Sequence, residues 1–193
     1  MKSWITALSL LLTSHAMALD IQPDTLYPQV KMDTSLGTIV VELDRTRAPI
    51  TVDNFLTYVV QGHYDNTLFH RIINEFVVQG GGLSPDFKEK PTHAEIVNES
   101  GNGLSNSLGT IAMAREMSPH SATAQFYFNV ADNTRLDPSS RRWGYAVFGE
   151  VISGMEVLQA MSNVATGHNQ TLNWPDVPIQ PVILNKATLL PRN

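Results

Sequence analysis

FHRIINEFVVQGGG, residues 69–82, contains two β-type runs joined by a short turn. The first run extends from Thr67 to Ile73 and the second from Phe76 to Gln79, and Asn74-Glu75 between them suits a tight hairpin. Alternation along the first strand places Phe69, Arg71 and Ile73 on one face, with His70 and Ile72 on the other. On the second strand, Phe76 and Val78 share a side unless a turn re-aims one of them.

Arg71 stands between apolar neighbours, which is unusual because a guanidinium is rarely buried without a partner. From alternation alone, the favoured interpretation is an arginine on an edge strand whose stem passes apolar neighbours to reach water. A functional arginine is the alternative.

Three further blocks follow in order: Gly109-Thr110-Ile111-Ala112-Met113-Ala114-Arg115, then Gln125-Phe126-Tyr127-Phe128-Asn129-Val130, then Gly144-Tyr145-Ala146-Val147-Phe148-Gly149. Together with residues 69–82 the chain resembles the cyclophilins, a family of peptidyl-prolyl cis-trans isomerases. The resemblance extends from about Val30 to Leu189. Any one block is a weak signal, whereas four in the same order are a strong one.

The composition fits one globular domain. The chain has 193 residues, of which 42% are hydrophobic and 16% charged. A formal charge of -5 without basic clusters argues against a nucleic-acid partner. There is no cysteine, which excludes disulfides, thiol catalysis and cysteine-based zinc sites.

Residues 1–18 have the pattern of a cleaved signal peptide. Lys2 supplies a positive start, Trp4 to Leu12 a short apolar run, and Ala16-Met17-Ala18 a cleavage site. The apolar run is too short for a membrane anchor, and a buried N-terminal helix is the alternative. We therefore expect export to the periplasm. Residues 19–29 are predicted to be an arm and 30–190 the domain, and nothing in the sequence suggests more than a monomer.

The remaining periodicity predicts short strands and two helices. One helix begins at Pro49 and ends near Gly62, and the other covers Gly154 to Met161 with Ser153 as its N-cap. Residues 83–107 read as an irregular excursion with a short strand near Ile96, and residues 178–189 as a closing strand. This pattern predicts a mainly β fold with a closed antiparallel barrel. The resemblance implies eight strands, a helix over each opening, and a substrate on the outer face.

The resemblance also implies the activity, rotation about X-Pro peptide bonds in exported proteins during folding. The barrier to this rotation is about 20 kcal/mol and no covalent bond is made or broken, so no metal or other cofactor is expected. Arg71 is the candidate hydrogen-bond donor to the twisted amide. The resemblance assigns a proline pocket and peptide-holding positions to Phe76, Val77, Gln79, Ala114, Arg115, Gln125, Tyr127, Leu136 and Tyr145, with Gln79 orienting Arg71.

Three positions depart from the family pattern. Tyr127 stands where phenylalanine is usual, so its hydroxyl needs a partner. Tyr145 replaces a histidine common in eukaryotic members. Arg135 replaces an aromatic residue linked to cyclosporin binding, so we expect weak binding of that drug.

Two other functions remain open from the sequence: a cyclophilin-shaped module that grips proline segments without turnover, and an all-β scaffold or lectin-like protein. No sugar-binding aromatic platform supports the latter. The histidines lack the spacing of a metal site, and no G-x-S-x-G elbow suggests a hydrolase.

Overall fold

The computed structural model describes residues 21–192, so the predicted signal peptide 1–18 lies outside the described residues. Within them two α-helices accompany eleven strands. The helices are α1 (Pro49–Val60) and α2 (Met155–Ser162), and a 3-10 turn covers Thr134–Leu136. The strands are β1 (Gln29–Thr34), β2 (Gly37–Leu43), β3 (Thr67–Leu68), β4 (Arg71–Ile73), β5 (Val77–Gly80), β6 (Thr110–Met113), β7 (Phe126–Asn129), β8 (Val147–Ser153), β9 (Thr166–Asn169), β10 (Trp174–Pro178) and β11 (Ile183–Leu189).

Nine of these strands form one curled antiparallel sheet in residues 21–192, in the order β3-β11-β1-β2-β8-β6-β7-β5-β4. Its two outermost strands, β3 and β4, are the halves of the single run predicted at 67–73. The mainly β, barrel-like fold is therefore confirmed, with nine strands where eight were expected because that run is divided. The hairpin β9–β10 forms a separate small sheet that the sequence analysis did not predict.

The division of the 67–73 run also corrects the predicted faces. β3 pairs with β11, whereas β4 pairs with β5, and Phe69 and His70 between them belong to neither ladder. The change of partner re-aims the chain, so Phe69 and Ile72 both enter the main core. Strict alternation predicted that Phe69 shares the side of Arg71, and this prediction is wrong.

Two apolar clusters lie on opposite faces of the sheet. The main core contains Phe55 of α1 together with Phe126 and Phe128 of β7. Tyr127, between those two phenylalanines, belongs to a smaller cluster on the other face. Side chains therefore alternate between the two faces of the sheet along β7. The second cluster also contains Val77, Ala112 and Val147.

The helix boundaries match the prediction except at one cap. α1 begins at Pro49, as expected, and Gly62 follows its end with a φ of +67°. Ser153 is not the N-cap of α2, because it ends β8 and Gly154 occupies the cap with a φ of +88°. A Cβ at Gly154 would clash with the backbone oxygen of Thr38, so the close approach requires glycine there.

Residues 83–107 are irregular, as predicted, with isolated bridges from Leu83 to Glu89 and from Ile96 to Ala122. Glu99 fastens this excursion to the start of α1: its carboxylate accepts hydrogen bonds from the backbone N–H groups of Ile50 and Thr51, at 3.1 and 2.8 Å. A carboxylate at a helix N-terminus is stabilising. Among residues 21–192, no helix combines the length and apolarity that a membrane span requires.

Candidate active site

A row of side chains crosses five neighbouring strands on the face that carries the second cluster. The strand register places Arg71 opposite Gln79, Gln79 opposite Tyr127, and Tyr127 opposite Ala112. Val147 of β8 continues the row beyond Ala112. Backbone pairing therefore brings a cation, an amide and an apolar floor into one line.

Hydrogen bonds connect the polar end of this row. Nη1 of Arg71 donates to Oε1 of Gln79 at 3.2 Å, and Nε2 of Gln79 donates to Oε1 of Gln125 at 3.1 Å. Arg71 is half-buried and forms no ion pair with any carboxylate of residues 21–192. The guanidinium is thus oriented by neutral amides and keeps its charge uncompensated.

The third glycine of the Gly80-Gly81-Gly82 run explains how Gln125 is held. A Cβ at Gly82 would lie 2.5 Å from Cγ of Gln125, so the glutamine stem rests directly on the glycine backbone. Gly80 ends β5, Gly81 and Gly82 form a bend, and the run does not open a helix.

Nine of the ten predicted site residues line one cavity of about 180 Å³. We call it the slot, and it is lined by Arg71, Phe76, Val77, Gln79, Ala114, Arg115, Tyr127, Leu136 and Tyr145. The tenth residue, Gln125, lines an adjacent cavity of about 100 Å³ that shares Gln79, Ala114 and Arg115 with the slot. The structure therefore brings all ten together, and their roles stay predictions.

Phe76 reaches the slot because the turn re-aims it. Residues 74–76 form a three-residue loop in which Glu75 has a φ of +54° and the N–H of Phe76 donates to the carbonyl of Ile73. Phe76 packs against the second cluster, whereas Val78 enters the main core. The exception that the sequence left open therefore applies: the turn re-aims Phe76 away from the side of Val78, and β5 begins at Val77.

Cationic groups lie against the aromatic rings of the slot. The guanidinium carbons of Arg135 and Arg71 lie 4.5 and 5.9 Å from the centroid of the Phe76 ring. That of Arg115 lies 4.6 Å from the centroid of the Tyr145 ring. Such contacts add a modest attraction and keep the rings in place.

The hydroxyl of Tyr127, which needed a partner, is satisfied inside the protein. It donates to Oδ1 of Asn106 at 2.7 Å, and the ring forms the floor of the slot. Burial raises the pKa of Tyr127 well above its ordinary value, and the nearby Tyr145 and Asp137 raise it further. The phenol is therefore a neutral donor and carries no acid–base chemistry near neutral pH.

Asn106 belongs to a buried polar network that the sequence analysis missed. Its side-chain N–H and its backbone N–H both donate to Asp137 Oδ1, at 2.8 and 2.7 Å. Burial alone would raise the pKa of Asp137, but hydrogen bonds from Ser105 and Asn106 outweigh it and lower that pKa. Only the need of the Tyr127 hydroxyl for a partner pointed to such a network in the sequence.

The same network reaches the wall of the slot. Nδ2 of Asn133 donates to the backbone oxygen of Phe76 at 2.8 Å and to Oδ1 of Asn129 at 2.9 Å. Nδ2 of Asn129 donates in turn to Oδ1 of Asn106 at 3.2 Å. Floor and wall are thus fixed by one set of buried amides.

His70, beside Arg71 in the chain, is buried with its Nδ1 unpartnered among the described residues. Desolvation, aided by the charge of Arg71, lowers the pKa of His70 to about 4. It is therefore neutral at physiological pH. Within residues 21–192, no three His, Asp or Glu side chains come close enough together to hold a metal ion.

Comparison with known proteins assigns a family. The family model described as cyclophilin type peptidyl-prolyl cis-trans isomerase matches residues 29–188. A peptidyl-prolyl cis-trans isomerase of Streptomyces antibioticus is 51% identical, with 83% of this chain and 98% of that protein covered. Peptidyl-prolyl cis-trans isomerase B of Escherichia coli is 48% identical with the same coverage.

Two more comparisons extend this result. Peptidyl-prolyl cis-trans isomerase A of Dickeya dadantii is 45% identical, and the match covers 96% of this chain and 94% of that protein. The crystal structure of a Cryptosporidium parvum cyclophilin type peptidyl-prolyl cis-trans isomerase, in the presence of the dipeptide Ala-Pro, superposes with a TM-score of 0.70. The match is 24% identical in sequence and covers 85% of this chain and 99% of that chain. This likeness supports the assignment of the fold.

Proposed function

This chain belongs to the cyclophilin-type peptidyl-prolyl cis-trans isomerase family, and we propose that the slot beside Arg71 is where it catalyses that isomerisation. The observation that carries the proposal is the hydrogen-bonded series from Arg71 through Gln79 to Gln125, set against an apolar floor. The proposed ligand of the slot is a proline-containing segment of a folding protein.

Catalysis of this reaction requires selective stabilisation of the twisted amide. Each ~1.4 kcal/mol of such stabilisation gives a factor of ten, so a gain of about 10⁵-fold requires about 7 kcal/mol. In the twisted state the prolyl nitrogen becomes pyramidal and basic. Arg71 donates an N–H group to that nitrogen, and this charge-assisted hydrogen bond is stronger in the transition state than in the planar ground state.

The remaining residues bind and orient the peptide. Phe76, Tyr127 and Leu136 hold the proline ring, which fixes one side of the bond while the other turns. Gln79 restrains Arg71 by accepting its hydrogen bond. Gln125 and the backbone at Ala114 bind the rest of the peptide from the adjacent cavity.

A protease-coupled assay on a short Ala-Pro peptide tests this assignment. Arg71→Ala is expected to lower kcat/KM by about 10²–10³-fold, equivalent to about 3–4 kcal/mol. Arg71→Lys keeps the charge but loses the planar fork, so it should recover only part of the rate. Arg192→Ala is the matched control, since Arg192 pairs with Asp24 and does not line the slot. Wild-type activity in Arg71→Ala would refute the role of Arg71.

We further propose that the protein acts in the periplasm on exported proteins. The support is the pattern at residues 1–18, where a positive start is followed by a short apolar run and an Ala-Met-Ala cleavage site. Cell fractionation and N-terminal sequencing provide the test. A periplasmic chain beginning at Leu19 is expected, and a cytoplasmic chain that retains residues 1–18 would contradict it.

A further inference from the structure

Three guanidinium groups surround the slot. Arg71 and Arg115 line it, and Arg135 lies in the adjacent 3-10 turn over the Phe76 ring. Because Arg71 and Arg135 lie near the same ring centroid, their guanidinium carbons are within roughly 10 Å of each other. The slot therefore has a strongly cationic rim.

No carboxylate of residues 21–192 forms an ion pair with any of the three. Arg71 donates to an amide oxygen, and Arg115 donates to the backbone oxygens of Glu116, Trp143 and Gly144. These acceptors are neutral, so they orient the guanidiniums without cancelling the charge.

One carboxylate next to this rim, that of Asp137, is already hydrogen-bonded within the fold. Asp137 directly follows the turn that carries Arg135, yet it accepts hydrogen bonds from Ser105 and Asn106. Arg135 itself is exposed. Glu116 lines the adjacent cavity beside Arg115, but it is exposed and forms no ion pair with any of the three arginines. The three guanidinium groups can therefore pair with a carboxylate of a ligand.

The position of Arg135 decides where that anion would be on a bound peptide. Its guanidinium carbon lies 4.5 Å from the centroid of the ring that would hold the proline. An extended chain advances about 3.3–3.6 Å per residue. A side chain one or two residues from the proline therefore reaches Arg135.

We propose that the slot selects proline segments that carry a carboxylate, from Asp or Glu, one or two residues away from the proline. Arg135 is the specificity-determining group, and Arg115 and Arg71 add to the field. This substrate class rests on the proposed function, since it takes the proline ring to lie against Phe76.

The net charge of -5 does not oppose this selection at close range. Exposed charges farther away than the Debye length, about 8–10 Å at moderate ionic strength, are largely screened. Arg135 and a neighbouring carboxylate lie within that distance, so the local pattern of charge determines the preference.

The test compares kcat/KM for peptides of one sequence that differ only in Glu, Gln or Lys, placed one or two residues before or after the proline. We expect Glu to exceed Gln by about 3–10-fold in at least one position at low salt, and Lys to be the poorest. The Glu-to-Gln ratio should approach one at about 1 M salt.

Arg135→Gln is expected to remove most of the Glu-to-Gln ratio, which as a ratio is independent of any general effect on the slot. Arg192→Gln removes the same net charge at a position outside the slot and should retain the ratio. A wild-type ratio of one or less in every position, or a ratio unchanged in Arg135→Gln, would overturn the proposal. Failure to turn over even the Gln peptides would instead refute the proposed function.

Discussion

The hydroxyl of Tyr127 donates a hydrogen bond to Oδ1 of Asn106, and this bond joins the floor of the slot to the long excursion 83–107. Both residues are buried, with 4% and 0% of their surface exposed. A tyrosine in place of the usual phenylalanine therefore leaves the floor of the slot apolar, because its hydroxyl is hydrogen-bonded inside the protein.

We expect Tyr127→Phe to have only small effects on stability and on activity. Asn106 Oδ1 keeps a second donor, Nδ2 of Asn129 at 3.2 Å, so no buried acceptor is orphaned. The free energy of unfolding should fall by about 1 kcal/mol, and kcat/KM on a neutral Ala-Pro peptide by less than about threefold. Urea unfolding and the coupled assay measure the two quantities. A loss above tenfold in kcat/KM would mean that the hydroxyl contacts the substrate.

Asn106→Leu should be much more damaging than Tyr127→Phe. It leaves the Tyr127 hydroxyl buried without an acceptor and removes a donor from Asp137, with an expected cost of about 2–4 kcal/mol in unfolding free energy. Adding Tyr127→Phe to Asn106→Leu should recover part of that loss, as seen in a double-mutant cycle of urea unfolding. Strictly additive losses would show that the two residues are not coupled.

Gly82→Ala should displace Gln125, because the new Cβ would lie 2.5 Å from Cγ of that residue. The hydrogen bond between Gln79 and Gln125 would then be lost, and kcat/KM should fall by about 3–10-fold. Gly101→Ala is the matched control, since no atom lies within 4 Å of its added Cβ. Equal activity in the two variants would remove Gln125 from the binding site.

Cyclosporin should inhibit this protein only weakly, because Arg135 presents a cation where an apolar ring contact is expected. Arg135→Trp restores an aromatic surface and should lower the inhibitor concentration for half-inhibition at least about tenfold. Titration of the coupled assay measures this. Nanomolar inhibition of the wild type would contradict the role given to Arg135.

His70 should make the fold sensitive to mild acid. Its pKa is about 4 in the folded protein and near 6.5 when exposed, so between these values the unfolded chain binds more protons. Stability is therefore fully present above about pH 6.5 and is lost as the pH falls toward 4. From pH 7.5 to 5 the loss attributable to this group is about 2 kcal/mol.

Urea unfolding at the two pH values checks the effect of His70. His70→Gln should lose less stability between pH 7.5 and 5 than the wild type, whereas the exposed His168→Gln should behave as the wild type does. Part of the dependence will remain, because burial and the charge of Lys90 also lower the pKa of His63. Identical pH dependence in His70→Gln and the wild type would refute the assignment.

Most of the fold could be predicted because apolar residues recur at the regular spacings of strands and helices. The strands around Val30, Thr38 and Phe126 and the helix from Pro49 lie where alternation and helical spacing placed them. Apart from the unpredicted hairpin β9–β10, the failures are local changes of backbone direction set by turns and tertiary contacts. Period alone does not reveal that Phe69 leaves the ladder, or that Gly154 approaches Thr38 so closely.

The residues that line the site could be predicted from the sequence, whereas the buried residues that hold them in place could not. All ten residues carried over from the family pattern surround two adjoining cavities. The asparagines that fix them come from separate parts of the chain, and asparagine is common on surfaces, so nothing local marks Asn106 or Asn133 as buried. The excursion 83–107 looked merely irregular, yet it supplies the residue that anchors the floor.

The row from Arg71 through Gln79 to Tyr127 has an evolutionary consequence. Neighbouring strands are held about 4.8 Å apart by their backbone hydrogen bonds. The distance between Arg71 and the floor at Tyr127 is therefore set by the sheet itself and requires no conformational change. Under the proposed function, exchange of a rim side chain such as Arg135 would change the preferred peptides and leave the distance from Arg71 to the floor of the slot unchanged. A slip of β5 by a single residue would turn Gln79 inward and destroy that distance in one step.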